Sequence, residues 1–465
     1  MRGRIAVLIT IISAACGGGG GGNPDARPTA DAASIDAEAP DAMACVISAP
    51  TPATLNCPSP GATSSDIEHL VVIIQENHSF DSYFGNYCTA TTGSAPTCTT
   101  GPACCEAAPA TEPSGASPLV LDDAENGAYD PNHTYDCNLD QINGGAMDRF
   151  VVGRSQCANP KTFAIAALNG DADPYHDLAA ANAMADNYFQ PVVGASSSND
   201  MYFARGAFVF KDNSVQTMAI GMDCGFGSSN PAEYSDPTIA DLLIQCGVDW
   251  SWYAGGYQVT KDAVAVDSCP TADPGCHVAF GTYPCIYDPT DNPFLYYTSL
   301  RDDPLYFKDI SQFAIDVGND QLPAVSYVKP MGFLTEHPGF QDRISEGASN
   351  TADIIATISG SPTYADNTLI LLVYDEGGGY YDHVAPPPTS TVDCAPYGTR
   401  TIFMAIGPFA KTNYVSHTLM EHTSIVKFIE WNWFGGETGQ LGTRDTEVNN
   451  IGDMLTGTGT AVPSN

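Results

Sequence analysis

Four runs of consecutive apolar residues stand out along the chain: "HLVVIIQ" from His69, "AVSYVK" from Ala324, "TLILLVYD" from Thr368 and "IFMAIG" from Ile402. They are short, rich in Val, Ile and Leu, and show little alternation with polar positions. That pattern predicts strands buried on both faces, as in a sheet covered by helices. Three other stretches place apolar residues at helical spacing: "TIADLLIQCG", "SEGASNTADIIATI" and "TSIVKFIEWNWF". The second lies just before the strand expected at Thr368. Long loops rich in Gly, Pro and Cys separate these elements. The chain therefore reads as α/β, a central sheet flanked by helices.

Two of the predicted strands run straight into acids. Glu76 and Asn77 follow "VVIIQ", and Asp375 and Glu376 follow "LILLVY". A lone carboxylate at a strand end commonly caps a helix or faces solvent. Two such ends, each followed by turn residues, point instead to a metal or catalytic site. Ligands of open α/β sheets sit beyond the carboxyl ends of the strands. Oxygen donors of this kind suit a hard divalent cation.

Charge narrows the function classes. The 465-residue chain carries a net charge of -37. That excludes the clustered basic surface that nucleic acid requires, and it gives no electrostatic pull toward anionic lipid. It agrees with cation binding. The N-terminus reads as a targeting segment. Arg2 and Arg4 precede the apolar run "IAVLITIISAA", which closes on small residues before Cys16. The expected organisation is a lipoprotein-type signal over 1–15 and a lipid-bearing Cys16. A Gly-, Asp-, Ala- and Pro-rich tether follows to residue 44, then a single catalytic domain over 45–465. A plain secretory signal is the other reading of the leader. The chain has 15 cysteines, so setting Cys16 aside leaves 14, an even number suited to disulfides in an oxidising compartment. Their spacing matches no zinc module well and fixes no pairing. The expected location is outside the cytoplasm: an outer-membrane or cell-surface lipoprotein, otherwise periplasmic or secreted.

With these residues in view, "ENHSFDSYFG" resembles a signature of the bacterial phosphoesterase family, the phospholipase C and acid phosphatase superfamily. Further segments resemble family segments in the same order: "PNHTYDCNLDQINGGAMDRFV", "MADNYFQPVVGASSSN", "TIADLLIQCGVDWSWY", "LPAVSYVKP" with the later "EHPG", "DEGGGYYDHVAPP" and "EHTSIVKFIEW". The resemblance spans about residues 66–432. It implies an alkaline-phosphatase-like central sheet with long disulfide-stapled loops. It also implies phosphoric ester hydrolysis, as a phospholipase C or an acid phosphatase, with one divalent ion.

The residue types fit that chemistry. A phosphate ester is anionic and resists nucleophiles, so catalysis needs charge neutralisation, an activated nucleophile and a proton for the leaving oxygen. The resemblance assigns Glu76, Asn77, Asp375 and Glu376 to the ion, and Ser196 in "GASSSN" to the nucleophile, with a phosphoserine intermediate. Ser197 and Ser198 are neighbouring candidates. It places His133 and His337 against the phosphate. His383 is read as orienting a ligand or as a structural histidine, and His422 as a family position or a helix N-terminal residue packing on the sheet.

The chain also departs from the family pattern. Asp200 and His78 stand where arginines are expected, and Ser82 and the segment "PTDNPF" with Asp291 where histidines are expected. Each exchange removes positive charge. A loop residue such as His277 compensates, or turnover is slow, or the substrate differs. The competing reading is a catalytically degenerate surface lipoprotein that keeps the fold. The expected partners are a phosphate ester or phospholipid head group, and the membrane through lipid on Cys16, with no nucleic acid.

Overall fold

The computed structural model describes Cys57 and residues 62–225, 230–278 and 281–465. The leader, Cys16 and the tether lie outside the described residues. Among the described residues ten strands occur in chain order: β1 (His69–Gln75), β2 (Leu119–Leu121), β3 (Ala164–Ala166), β4 (Ala183–Ala185), β5 (Trp250–Ala254), β6 (Phe307–Asp309), β7 (Val325–Lys329), β8 (Thr368–Tyr374), β9 (Phe403–Ile406) and β10 (Tyr414–Ser416). Eight form one sheet in the order β10-β4-β9-β8-β1-β7-β5-β6, and β2 and β3 pair separately. β1 lies at its centre, parallel to β7 and β8. β9 runs antiparallel between β8 and β4.

Burial explains the continuous apolar runs. Along β1, Leu70, Val72 and Ile74 point into one core, and Val71 and Ile73 into the other. β8 divides likewise, with Leu369, Leu371 and Val373 opposed to Ile370, Leu372 and Tyr374. Both faces are covered by helices, so neither face needs polar residues. The helix His422–Trp433 packs Ile425, Val426, Phe428 and Ile429 on the first face. The helix Ile344–Ser359 packs Ile344, Ala348, Ile354 and Ile358 on the second. The helix Ile239–Gln245 starts at Thr238, whose side chain and that of Asp241 form a reciprocal capping box. These three helices and β1, β7, β8 and β9 lie where the hydrophobic pattern predicts them, whereas β5 was not among the predicted runs. Ile451, Met454 and Val462 join the first core, which binds the C-terminal segment to the sheet.

The loops are cross-linked. Cys57–Cys246, Cys88–Cys105, Cys98–Cys104, Cys137–Cys157, Cys224–Cys269 and Cys276–Cys285 are paired. Cys394 is disulfide-bonded as well, so every described cysteine is oxidised. Adjacent Cys104 and Cys105 take different partners. No described helix is long and apolar enough to cross a membrane.

Candidate active site

Parallel neighbours end on the same edge of a sheet, so β1, β7 and β8 deliver Glu76-Asn77, Lys329 and Asp375-Glu376 to one place. All five residues are buried. Asn77 is the hub. Its backbone adopts φ 65°, a left-handed conformation that asparagine tolerates better than most residues. The turn is enforced from the other strand: Asn77 N donates to Asp375 Oδ1 over 3.0 Å. Gly378 (φ 62°) packs so closely that a β-carbon there would lie 2.0 Å from Asn77 O.

The Asn77 side chain reaches three elements. Nδ2 lies 2.9 Å from His337 Nε2 and 3.4 Å from His133 Nε2. Oδ1 lies 3.4 Å from Ser196 Oγ. Both imidazoles are oriented through their other nitrogen, His133 Nδ1 on Pro131 O at 2.8 Å and His337 Nδ1 on Pro338 O at 2.7 Å. Proton donation by Nδ1 leaves Nε2 facing the site. His133 Nε2 also stands 3.6 Å from Glu376 Oε1.

Ser196 opens the buried helix Ser196–Ala204. The preceding turn is stapled by Asn199, whose amide donates to Gly194 O and Ala195 O and whose carbonyl accepts from Val192 N. Gly194 has φ 124°, and a β-carbon there would meet Asp212 Oδ1 at 2.7 Å. Of the three adjacent serines, Ser196 faces Asn77 and Asp375. Ser198 Oγ donates back to Ala195 O, and the Ser197 side chain meets Tyr296. The positive end of the helix dipole lies at Ser196, which favours negative charge there.

Lys329 was not legible as a site residue. Its Nζ lies 2.5 Å from Glu76 Oε1 and 3.9 Å from carboxylate oxygens of Asp200, Asp291 and Asp375. Burial opposes its charge, but these carboxylates outweigh burial and hold the ammonium protonated. Burial also acts to raise Glu76, yet Lys329, His337 and the hydroxyl of Thr335 bring it below the usual range. Asp200 and Asp291 are pushed well above theirs, by burial and by neighbouring carboxylates. Asp375 rises to about 6 through burial, against Lys329.

Other expected residues serve the frame. His383 binds Asp81 and Glu106, and Arg400 joins Asp81 to Asp382. That guanidinium already neutralises the Asp81–Asp382–His383 group. His422 begins its helix, stacks on Phe203 and reaches Asp375 O from Nε2 over 2.6 Å. His78 lies between Glu76 O and Asn126 Oδ1 and stacks on Tyr380. Burial lowers its pKa to about 4, so it brings no positive charge near neutral pH. His277 pairs with Glu346. Glu336, beside His337, accepts hydrogen bonds from Tyr83, Tyr175 and Tyr374.

The donor types at the site, amide, hydroxyl and carboxylate oxygens, are those that a hard divalent ion takes. Oxygens of Asn77, Ser196, Asp375 and Glu376 belong to one buried group, and the carboxylates around it outnumber the ammonium. An excess of buried negative charge is what a cation relieves. Asp130, His133 and His337 also bring ligand atoms within 4.8 Å of one another.

A buried hydroxyl at a helix start thus stands beside one carboxylate and, through Asn77, two imidazole nitrogens. The comparisons give this site its class: the chain belongs to the phosphoesterase family, whose model matches residues 67–434. It is a hydrolase acting on phosphoric ester bonds. It is 27% identical over 460 residues to phospholipase C B of Mycobacterium tuberculosis, covering 88% of this chain and 80% of that protein. It is 26% identical over 427 residues to the non-hemolytic phospholipase C of Burkholderia pseudomallei, covering 79% of this chain and 55% of that protein. A solved alkaline phosphatase superfamily protein from Vibrio parahaemolyticus overlaps 86% of this chain and 74% of its own at 9% identity, with a TM-score of 0.35. An overlap that loose carries no argument.

Proposed function

We propose that this chain is an exported phospholipase C-type hydrolase that uses Ser196 as nucleophile and depends on a divalent ion. The observation that supports it most is the gathering of Ser196, His133, His337 and Asp375 around Asn77. The relatives' names direct the substrate reading to phospholipid head groups. The ion would be held by oxygens of Asn77, Asp375 and Glu376, with Glu76 beside them. When bound, it supplies charge neutralisation at the phosphoryl group and acidifies the serine hydroxyl.

The chain's own groups do the rest. Ser196 passes its hydroxyl proton to the Asp375 carboxylate that it faces, and Oγ forms a bond to phosphorus as the phosphorus–oxygen bond to the leaving group breaks. The leaving oxygen takes a proton from Nε2 of His337 or His133 in the imidazolium form, which carries a proton on both ring nitrogens. Water then attacks the phosphoserine and gives a proton to that nitrogen, while Asp375 returns its proton to the departing serine oxygen. The Asn77 amide fixes both imidazoles relative to Ser196. The helix start at Ser196 favours the anionic phosphoryl group.

Export is supported by the leader and by the oxidised cysteines, since disulfides persist in oxidising compartments. Lipid on Cys16 would tether the catalytic region, residues 45–465, to a membrane. The test is turnover of phosphatidylcholine, a p-nitrophenyl diester and p-nitrophenyl phosphate, with and without chelator. The expected result is diester and phospholipid cleavage that chelator abolishes and Mn²⁺ restores. Unchanged turnover by Ser196→Ala would overturn the reading. Cleavage of the monoester alone would move the substrate to the acid phosphatase class.

A further inference from the structure

We propose that Lys329 is the fixed cation of this site, and that the Glu76 carboxylate serves this ammonium rather than a divalent ion. The inference rests on the reading of the site as an ion-assisted phosphoesterase and assigns two of its residues a different task.

Both oxygens of Glu76 have partners, Oε1 through an ion pair alone and Oε2 through hydrogen bonds. Oε1 faces Lys329 Nζ at 2.5 Å, and Oε2 accepts from Thr335 Oγ1 at 2.6 Å and from the Tyr283 hydroxyl. These partners come from β7, the segment after it and the 281–288 loop. An ion would have to compete with Lys329 for Oε1 and with two hydroxyls for Oε2. Oxygens of Asn77, Ser196, Asp375 and Glu376 remain for it.

Lys329 in turn faces more than its partner. Asp200, Asp291 and Asp375 each stand 3.9 Å from Nζ. Asp200 follows the serine turn, and Asp291 ends the short helical turn Pro289–Asp291. These are two of the positions at which the sequence departs from its family by losing positive charge. Buried carboxylates this close repel one another, and each is costly without a counter-charge. Lys329 supplies that counter-charge from the end of β7. His277 does not, being engaged with Glu346. The arrangement puts a positive centre next to Asp375, the carboxylate that Ser196 faces.

A buried ion pair tolerates removal of both partners far better than removal of one. The test uses the full chain as wild type, Glu76→Gln, Lys329→Met and the double variant, with Mn²⁺ titration calorimetry and thermal melting. Glu76→Gln removes the ammonium's nearest counter-charge, turns it onto the remaining carboxylates in competition with the ion, and should weaken Mn²⁺ binding by roughly a hundredfold or more. Adding Lys329→Met should bring binding back to within about tenfold of wild type. The double variant should also melt above either single variant. A double variant that stays a hundredfold weaker makes Glu76 a ligand of the ion and overturns the assignment. Failure of wild type to bind Mn²⁺ would contradict the ion-assisted reading of the site. In that case the melting comparison still decides the pair: a double variant melting no higher than both single variants overturns it.

Discussion

Asn77→Gly removes the side chain at the centre of the site while keeping a backbone able to hold φ 65°. The structural loss is small. One contact, 2.9 Å to His337, has full hydrogen-bond length, and those to His133 and Ser196 are long at 3.4 Å. A neutral hydrogen bond contributes about 1 kcal/mol net, so the three together contribute on the order of 1–2 kcal/mol. Melting should fall by only a few degrees. The catalytic loss is larger. Removing an oriented polar group from a phosphoryl or oxyanion site costs about 10²–10³ in turnover, or ~3–4 kcal/mol of barrier. Asn77→Ala should be as inactive and about 1 kcal/mol less stable than the glycine variant, because a β-carbon disfavours the left-handed region. Turnover of a chromogenic choline phosphodiester, measured beside thermal melts, reads both quantities. A glycine variant retaining more than about a tenth of wild-type turnover would refute the role of Asn77 as the hub.

The remaining predictions probe the frame. Gly378→Ala should displace Asn77 and lower both melting temperature and turnover, since its β-carbon would sit 2.0 Å from Asn77 O; unchanged kinetics would show that this packing does not matter. Burial raises the Glu336 carboxyl to about 8 against three tyrosine hydroxyls. The folded state therefore keeps a proton that the unfolded chain releases near the ordinary carboxyl value of 4.5, so this contribution is full below that pH and is lost as pH rises toward 8. The slope is about 1.4 kcal/mol per pH unit, and Glu336→Gln should flatten it in denaturant melts across that window. Denatured, unreduced protein should titrate no free thiol beyond an unmodified Cys16, and two or more reactive thiols per chain would contradict the oxidised state of the described cysteines.

Much of this architecture is legible in the sequence, for identifiable reasons. β1 and β8 are buried on both faces, so their apolar runs are unbroken and their ends are marked by acids. The helices Ile239–Gln245 and Ile344–Ser359 pack one face and leave a clear repeat, and the helix His422–Trp433 is buried along its whole length. β4, β6 and β10 have three residues each, too few to leave a pattern, and pair only because neighbours hold them. Lys329 was hidden for a different reason. A lysine after an apolar run reads as a strand end reaching solvent. The carboxylates that surround it come from residues 76, 200, 291 and 375, which only the fold brings together. The same holds for Glu336 and its tyrosines, and for the disulfide partners. Of the serine cluster, sequence pointed to Ser196 with Ser197 and Ser198 close behind. The helix geometry separates them by turning the latter two away from Asn77.

Trapping the covalent intermediate tests the central claim most directly. Protein mixed with a phosphodiester substrate and Mn²⁺, then quenched in acid during turnover and digested, should yield a peptide carrying on Ser196 one phosphoryl group still esterified to the alcohol that did not leave. That group should be absent from Ser196→Ala and present in Ser197→Ala and Ser198→Ala. Turnover with no phosphorylated Ser196 under these conditions, or the group found on a neighbouring serine instead, would contradict the assignment.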